Sequence, residues 1–290
     1  MNAKSQPKRS WVLKVTIHQT HHTIGDFDAI EKYLKENITK QSEGLHIFPE
    51  LFLTGYPLQD LCLQKAFIVK YHGLLDRLKK WSKKSVNQEK CCLLMGGLKY
   101  ELSPKKSLPV FIENVVYQIG QGKDFENIYT KQLLPNYDIF DEKKYFKKGK
   151  ETLITEFFGV KTGVLICEDM WTSLFHEKDP VQSLHAESIG NDNPLDLVIN
   201  LSGSPFHLNK HKKRLERAGE ISHLLECPFV YVNRVGAEDE IIFDGGSFVL
   251  NGQDVLAESK RFVQDQITWD FNLSLKNRIM YHNYNIWLNK

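Results

Sequence analysis

GVLICEDMW, residues 163–171, runs from an apolar stretch straight into a thiol, two acids, a methionine and a tryptophan. A short apolar run bounded by polar residues reads as a buried strand. A strand that ends in Cys167-Glu168-Asp169 either closes a core or carries a nucleophile to the edge of a sheet. In the second case, other strands should end in groups that assist a thiol, and three do. LHIFP (45–49) meets Glu50, NIYT (127–130) meets Lys131, and LVINL (197–201) meets Ser202-Gly203-Ser204. In layered α/β proteins the ligand crevice lies beyond the carboxyl ends of the strands. The four ends together predict one pocket supplied with an acid, an amine, a thiol and hydroxyls.

Around these ends, strands and helices alternate. WVLKVTIHQ (11–19) alternates as a strand does, and DAIEKYLKEN (28–37) has helical spacing. Residues 60–82 read as one long amphipathic helix with a basic outer face, and CCLLMGG (91–97) as an apolar strand stopped by its paired glycines. Hairpins are predicted over 110–135, around Gly-Gln-Gly-Lys-Asp, over 154–167, and over 243–258 with its turn at Asn251-Gly252. NKHKKRLERAGEISHLLE (209–226) reads as a helix and CPFVYVNRVG (227–236) as a strand. With no linker, repeat or low-complexity segment in view, the expectation is a single α/β domain over 1–290.

Composition narrows the classes of function. At 41% hydrophobic and 26% charged residues, the chain has the balance of an ordinary globular protein. A net charge of +2 argues against nucleic acid or an anionic membrane as the main partner. The cluster Lys210, Lys212, Lys213, Arg214 and Arg217 reads as the solvated face of a helix. The basic N-terminus lacks the apolar core of a secretory signal, and no run approaches a membrane span. The five cysteines are odd in number and form no CxxC pair, so neither a disulfide framework nor a zinc site is expected, and the cytoplasm is the expected compartment.

Each polar strand end has an ordinary reading when taken alone. A cysteine on an apolar strand packs as a small hydrophobe, which is the role expected of Cys91, Cys92 and Cys227. Glu50 could pair with a lysine, Lys131 could be solvated, and Glu168 and Asp169 could be first-turn acids of a helix. Their joint occurrence makes a coherent chemistry. A thiolate attacks a carbonyl carbon but needs a base or a lowered pKa to form. A carboxylate can take the thiol proton and return it to a leaving amine, and an ammonium can stabilise the oxyanion. Acid, amine and thiol describe a hydrolase of C–N bonds that needs no histidine.

HIFPELFLTGYP (46–57), TKQLLPNYDIFDEKKYFKKG (130–149), GVLICEDMW and NLSGSPFHLNKHKKR (200–214), in this order, resemble the nitrilase, or carbon–nitrogen hydrolase, superfamily. Within it, and with NRVGAEDEIIFDGGSFVLNGQ (233–253) added, they are most similar to the glutaminase domain of glutamine-dependent NAD synthetases. The resemblance covers roughly residues 11–260 and implies a four-layer αββα sandwich. It implies a triad of Glu50 as general base and acid, Lys131 as oxyanion stabiliser and Cys167 as nucleophile, with Glu142 supporting the lysine. For the glutamine pocket it implies Tyr137, Phe140, Glu168, Trp171, Ser204 and Lys210. Lys210 stands where an arginine often pairs with the substrate carboxylate, and lysine lacks the bidentate fork. No metal or other cofactor is implied.

One departure bears on function. Fused NAD synthetases carry an ATP-pyrophosphatase loop of the SGGxDS type, and the nearest approach in this sequence, FDGGSF (243–248), lies inside the glutaminase-like block. The chain ends at YNIWLNK, about where a synthetase domain would begin. The expectation is therefore a glutamine amidohydrolase that supplies ammonia to a separate NAD synthetase chain and forms a homo-oligomer. Two other readings stay open: an amidase or carbamoylase acting on another small amide, and a non-catalytic partner subunit of the same fold.

Overall fold

The computed structural model describes residues 12–105, 108–171, 178–190 and 194–272. Trp11, read as the first residue of a strand, lies outside them, as do the basic N-terminus and YNIWLNK.

The first half of the chain builds one sheet. Its strands are β1 (Val12–Gln19), β2 (Gly44–Ile47), β3 (Cys91–Glu101), β4 (Phe111–Gly120) and β5 (Lys123–Thr130), joined at the far edge by β14 (Asp265–Asn272) in the order β14-β1-β2-β3-β4-β5. β1, β2 and β3 are parallel, and β3-β4-β5 turn back twice. Two antiparallel steps restore the direction, so β5 ends at the same edge as β2. Two helices, α1 (Phe27–Asn37) and α2 (Lys65–Ser85), cover the outer face. Asp26 caps α1 by accepting from the Ala29 amide at 3.0 Å, and Phe27, Ile30 and Leu34 form its buried stripe.

The second half repeats the plan. β6 (Ile154–Phe157), β7 (Val160–Ile166), β8 (Leu197–Ser202), β9 (Phe229–Asn233), β12 (Phe248–Asn251) and β13 (Asp254–Glu258) form a second six-stranded sheet in the order β13-β12-β9-β8-β7-β6. Its centre, β7-β8-β9, is again parallel. Helices α4 (Pro180–Gly190) and α5 (Lys210–Leu224) pack on its outer face. A short helix, α3 (Glu142–Tyr145), stands in the connection between the sheets, and β10 (Val235–Glu238) pairs with β11 (Ile241–Asp244) outside both.

Between the sheets lies a dry core. Val15, Ile17, Leu45, Ile47, Leu94 and Val116 face Val164, Ile166, Ile199, Leu201, Val230 and Val232. Because both faces of each sheet are covered, the central strands are largely apolar, which is why their sequences are near-continuous hydrophobic runs. The four layers are helix, sheet, sheet, helix, as the family resemblance implies.

Four local expectations are corrected. Residues 60–82 are not one helix: a 3₁₀ turn (Gln59–Leu63) precedes α2, and Gln64 is extended between them. β3 does not stop at Gly96-Gly97 but continues to Glu101. A Cβ at Gly96 would strike the backbone of Pro49 and Leu51, so this glycine lets the Glu50 loop lie directly on the strand. The strand over 227–236 breaks at Arg234, where β9 ends and β10 leaves for its own small sheet. Finally, the basic run of α5 is not all solvated. Arg214 is fully buried, its Nη1 on Asp244 Oδ1 at 2.8 Å, and Arg217 Nε donates to the Met170 carbonyl at 2.7 Å.

Candidate active site

Glu50, Lys131, Cys167 and Gly203 follow the carboxyl ends of β2, β5, β7 and β8 at one edge of the sandwich. The Glu50 loop is pinned along β3: the Phe48 amide donates to Leu94 O at 2.9 Å and the Leu53 amide to Gly96 O at 3.0 Å. The Lys131 backbone is held at both its polar groups, its amide on Asn114 O at 2.9 Å and its carbonyl under the Gly149 amide at 2.7 Å. Both side chains are almost wholly buried, each 1% exposed, so each must find its partners inside the protein.

They find each other. Lys131 Nζ donates to Glu50 Oε1 at 2.7 Å and to both oxygens of Glu142, at 3.0 and 2.8 Å. Three ammonium donors thus meet three carboxylate acceptors. Glu50 Oε1 also accepts from Asn114 Nδ2 at 2.7 Å, and its Oε2 from the Gly203 amide at 2.9 Å. The Tyr56 hydroxyl donates to Glu142 Oε1 at 2.9 Å. Burial pulls the Lys131 pKa down, but the charges of Glu142 and Glu50 outweigh it and hold the ammonium well above its ordinary value. Burial raises Glu142 to about 7, with Lys131 opposing.

Cys167 begins a 3₁₀ turn (Cys167–Met170) directly after β7, with its backbone in the left-handed region at φ 45°. Such a conformation in a non-glycine residue needs surrounding structure to hold it. Of the five cysteines, this one alone is partly exposed; Cys62, Cys91, Cys92 and Cys227 are buried. Burial and the charge of Glu50 push its thiol pKa well up, while Lys131 and the Gly203 amide pull the other way. The resting group is therefore a neutral thiol beside a carboxylate.

The residues expected to hold substrate cluster on the Cys167 side. The Tyr137 hydroxyl donates to Glu168 Oε2 at 2.9 Å, and the Tyr137 and Phe140 rings meet edge to face at 5.8 Å. Lys210 Nζ stands 4.5 Å over the Trp171 ring, and burial lowers its pKa while Cys167 and Glu168 counter that. Ser204 is buried, with its Oγ accepting from Arg214 Nε at 3.3 Å and its amide on Asn233 Oδ1 at 2.9 Å.

Several supporting residues escaped the sequence reading. Asn114, in β4, and Tyr56 orient the two carboxylates. Arg214 fastens the loop after β8, with Nη2 on the carbonyls of Ser204 and Pro205, both at 2.9 Å. A signal for Arg214 existed: it starts the stripe Arg214, Ala218, Ile221, at the i, i+4, i+7 spacing of a buried helix face. Asp169 is a first-turn acid of the Cys167–Met170 turn, and it is also buried and accepts four hydrogen bonds. Among the described residues no cluster of potential metal ligands occurs, and no helix is long and apolar enough to cross a membrane.

Comparison with known proteins agrees with this architecture. A glutamine-dependent NAD(+) synthetase of Thermotoga maritima is 32% identical over 273 residues, 92% of this chain and 43% of that protein. The Aquifex aeolicus protein of the same name is 32% identical over 276 residues, 92% of this chain and 44% of its own length. The chain thus spans less than half the length of these curated relatives. Among solved structures, the glutamine-dependent NAD+ synthetase of Acinetobacter baumannii superposes with a TM-score of 0.76 at 30% identity, over 92% of this chain and 47% of that one. A Nesterenkonia amidase of the nitrilase superfamily shares the fold across 96% of this chain and 98% of its own, with a TM-score of 0.69 at 18% identity. The carbon-nitrogen hydrolase family profile matches residues 15–255, and the chain belongs to that family.

Proposed function

We propose that this chain hydrolyses the side-chain amide of glutamine through a thioester on Cys167, releasing ammonia for NAD synthesis. The observation that carries the reading is the buried, fully hydrogen-bonded group of Glu50, Lys131 and Glu142 beside the one partly exposed cysteine. Relatives named for their dependence on glutamine supply the substrate class.

The thiol enters the reaction protonated, so a base must remove its proton as the sulfur attacks. In this reading Glu50, whose charge acts on the thiol, is that base. The Cys167 sulfur bonds to the amide carbon, the Glu50 carboxylate takes the thiol proton, and the carbonyl oxygen becomes an oxyanion. Glu50 returns the proton to the leaving nitrogen, ammonia departs, and a γ-glutamyl thioester remains. Glu50 then takes a proton from water, whose oxygen attacks the thioester carbon, and free glutamate leaves as the thiol recovers its proton.

All three donors of Lys131 are engaged at rest, so an oxyanion gains one only by exchange. The bidentate contact with Glu142 can become single with the ion pair kept and Tyr56 still donating to that carboxylate, whereas releasing Glu50 would separate its ion pair with Lys131. Glu168, held by Tyr137, suits the substrate α-amino group, and Lys210 suits its carboxylate. The reading extends to a synthetase on a separate chain as the ammonia acceptor, a single domain over the 290 residues, and a homo-oligomer in the cytoplasm as the setting.

The test is glutamate and ammonia release from glutamine by the purified chain and two variants. Glu50→Gln removes the proton carrier, worth roughly 10²–10⁴-fold. Lys131→Met removes the oxyanion donor, worth roughly 10²–10³-fold. It also leaves two buried acids facing each other, which costs about 3–5 kcal/mol of stability, so circular dichroism accompanies the assay. Near-normal turnover in either folded variant would remove that residue from the mechanism. Hydrolysis of other small amides with glutamine untouched would move the reading to a different amidase.

A further inference from the structure

We infer that Asp169 is a positioning residue: its carboxylate straps the turn that carries Cys167, on one sheet, to the segment that carries Lys131, on the other. The inference rests on the proposed roles of Cys167 and Lys131.

The two reacting groups have no covalent reason to stay in register, since β5 and β7 belong to different sheets. One side chain, Asp169, hydrogen-bonds to both segments. Asp169 Oδ1 accepts from the backbone amides of Gln132 and Leu133 at 3.0 and 2.8 Å, the two residues that follow Lys131. Asp169 Oδ2 accepts from the Tyr129 hydroxyl at 2.8 Å, two residues before Lys131, and from the Ile166 amide at 3.1 Å, directly before Cys167. Gln132 closes the ring by donating to the Tyr129 hydroxyl at 3.1 Å. Three bonds thus grip the Lys131 segment and the fourth grips the turn in which Cys167 holds its left-handed backbone.

Only an ionised carboxylate fits this set. It offers acceptor sites for all four donors and brings no hydrogen of its own. An asparagine would aim its NH₂ at backbone N–H groups on one side, and a glutamate would be a methylene too long. The group is 0% exposed, and burial raises its pKa to about 6 against the pull of these bonds, so the site holds a charge at the expense of its solvation. A buried acid that merely filled space would be replaceable by an apolar residue. The arrangement is instead that of a group whose value lies in what it aligns. Asp169 neighbours Glu168 in sequence, but its four hydrogen bonds go to the segments that carry Lys131 and Cys167, whereas Tyr137 bonds Glu168, so its effect on the reaction passes through Cys167 and Lys131.

The experiment compares the full chain with Asp169→Asn and Tyr129→Phe. Two quantities are read: the pH profile of Cys167 alkylation by iodoacetamide, located by peptide mass, and kcat and KM for glutamine. Lys131 pulls the thiol pKa down, so loosening the strap weakens that pull. In Asp169→Asn the alkylation profile is expected to move up by about half a pH unit or more. A misplacement of about 1 Å costs up to ~10²-fold in rate, so kcat is expected to fall about 10- to 100-fold with KM changed by less than about threefold. Tyr129→Phe removes one bond of the four and should shift both quantities in the same direction by less. A folded Asp169→Asn whose alkylation profile matches the wild type overturns the inference, even where kcat has fallen. If Asp169→Asn does not fold, an unshifted profile in folded Tyr129→Phe overturns it. If the wild type leaves glutamine intact, the proposed substrate fails, and the alkylation arm alone still decides the strap.

Discussion

The thiol of Cys167 is surrounded by groups that act on its charge, and that makes it separable from the other four cysteines by chemistry. Cys167→Ala deletes one sulfur and is expected to abolish hydrolysis with an unchanged circular dichroism spectrum. A diazo-ketone analogue of glutamine should label Cys167 alone, because Cys62, Cys91, Cys92 and Cys227 are buried. Label found on Cys91 or Cys227 would count against the site. Glu142 offers a second handle. Its pKa is raised from 4.5 to about 7, first by burial. A raised carboxyl pKa gives stability that is full below its unfolded value and lost as pH rises through the folded one. The wild type should therefore lose about 1–3 kcal/mol between pH ~4.5 and ~7.5 that Glu142→Gln does not lose. Equal pH slopes in denaturant titrations of the two proteins would refute it. The acid, amine and thiol were legible in the sequence because each interrupts an apolar run. Asn114, Tyr56 and Asp169 were not, because a polar residue that serves another polar residue leaves no pattern of its own.

Strands and turns show the same division. The apolar runs of β2, β7 and β8 announced themselves, since strands covered on both faces have no alternation to obscure them. The paired glycines of β3 misled. Gly-Gly ordinarily marks a turn, yet here it marks a strand against which another segment lies in backbone contact. Gly96→Ala accordingly makes a sharp test. Its Cβ would meet Pro49, Glu50 and Leu51, so the loop must lift and carry Glu50 with it. Overpacking of this kind costs about 1–3 kcal/mol, while turnover should fall by about 10-fold or more through displacement of the base. An alanine variant with wild-type turnover would show that the loop accommodates the methyl without moving Glu50. β14 went unread for a different reason. Its partner β1 lies about 250 residues earlier in sequence, and nothing local in Asp265–Asn272 records that pairing.

The 290 residues span less than half the length of these relatives and include no SGGxDS-type loop. These residues alone are expected to show no ATP-dependent NAD synthesis. Ammonia released without an acceptor is lost, so glutamate production should rise when a synthetase portion is titrated in. Coupling of this kind is typically about 1–3 kcal/mol, or roughly 5- to 150-fold in binding. A flat titration with high activity from the outset would favour an independent amidase. The division of the sandwich has a consequence of another sort. Residues up to Gly149 supply Glu50, Lys131 and Glu142, and those from Ile154 onward supply Cys167, Glu168, Gly203 and Lys210, while β14 of the later part clasps β1 of the earlier one. Cut in the connection between them, the protein becomes two fragments that each hold half of the proposed site and share one interlocked edge. Hydrolysis would then act as a coincidence detector, silent in either fragment and reporting only their reunion.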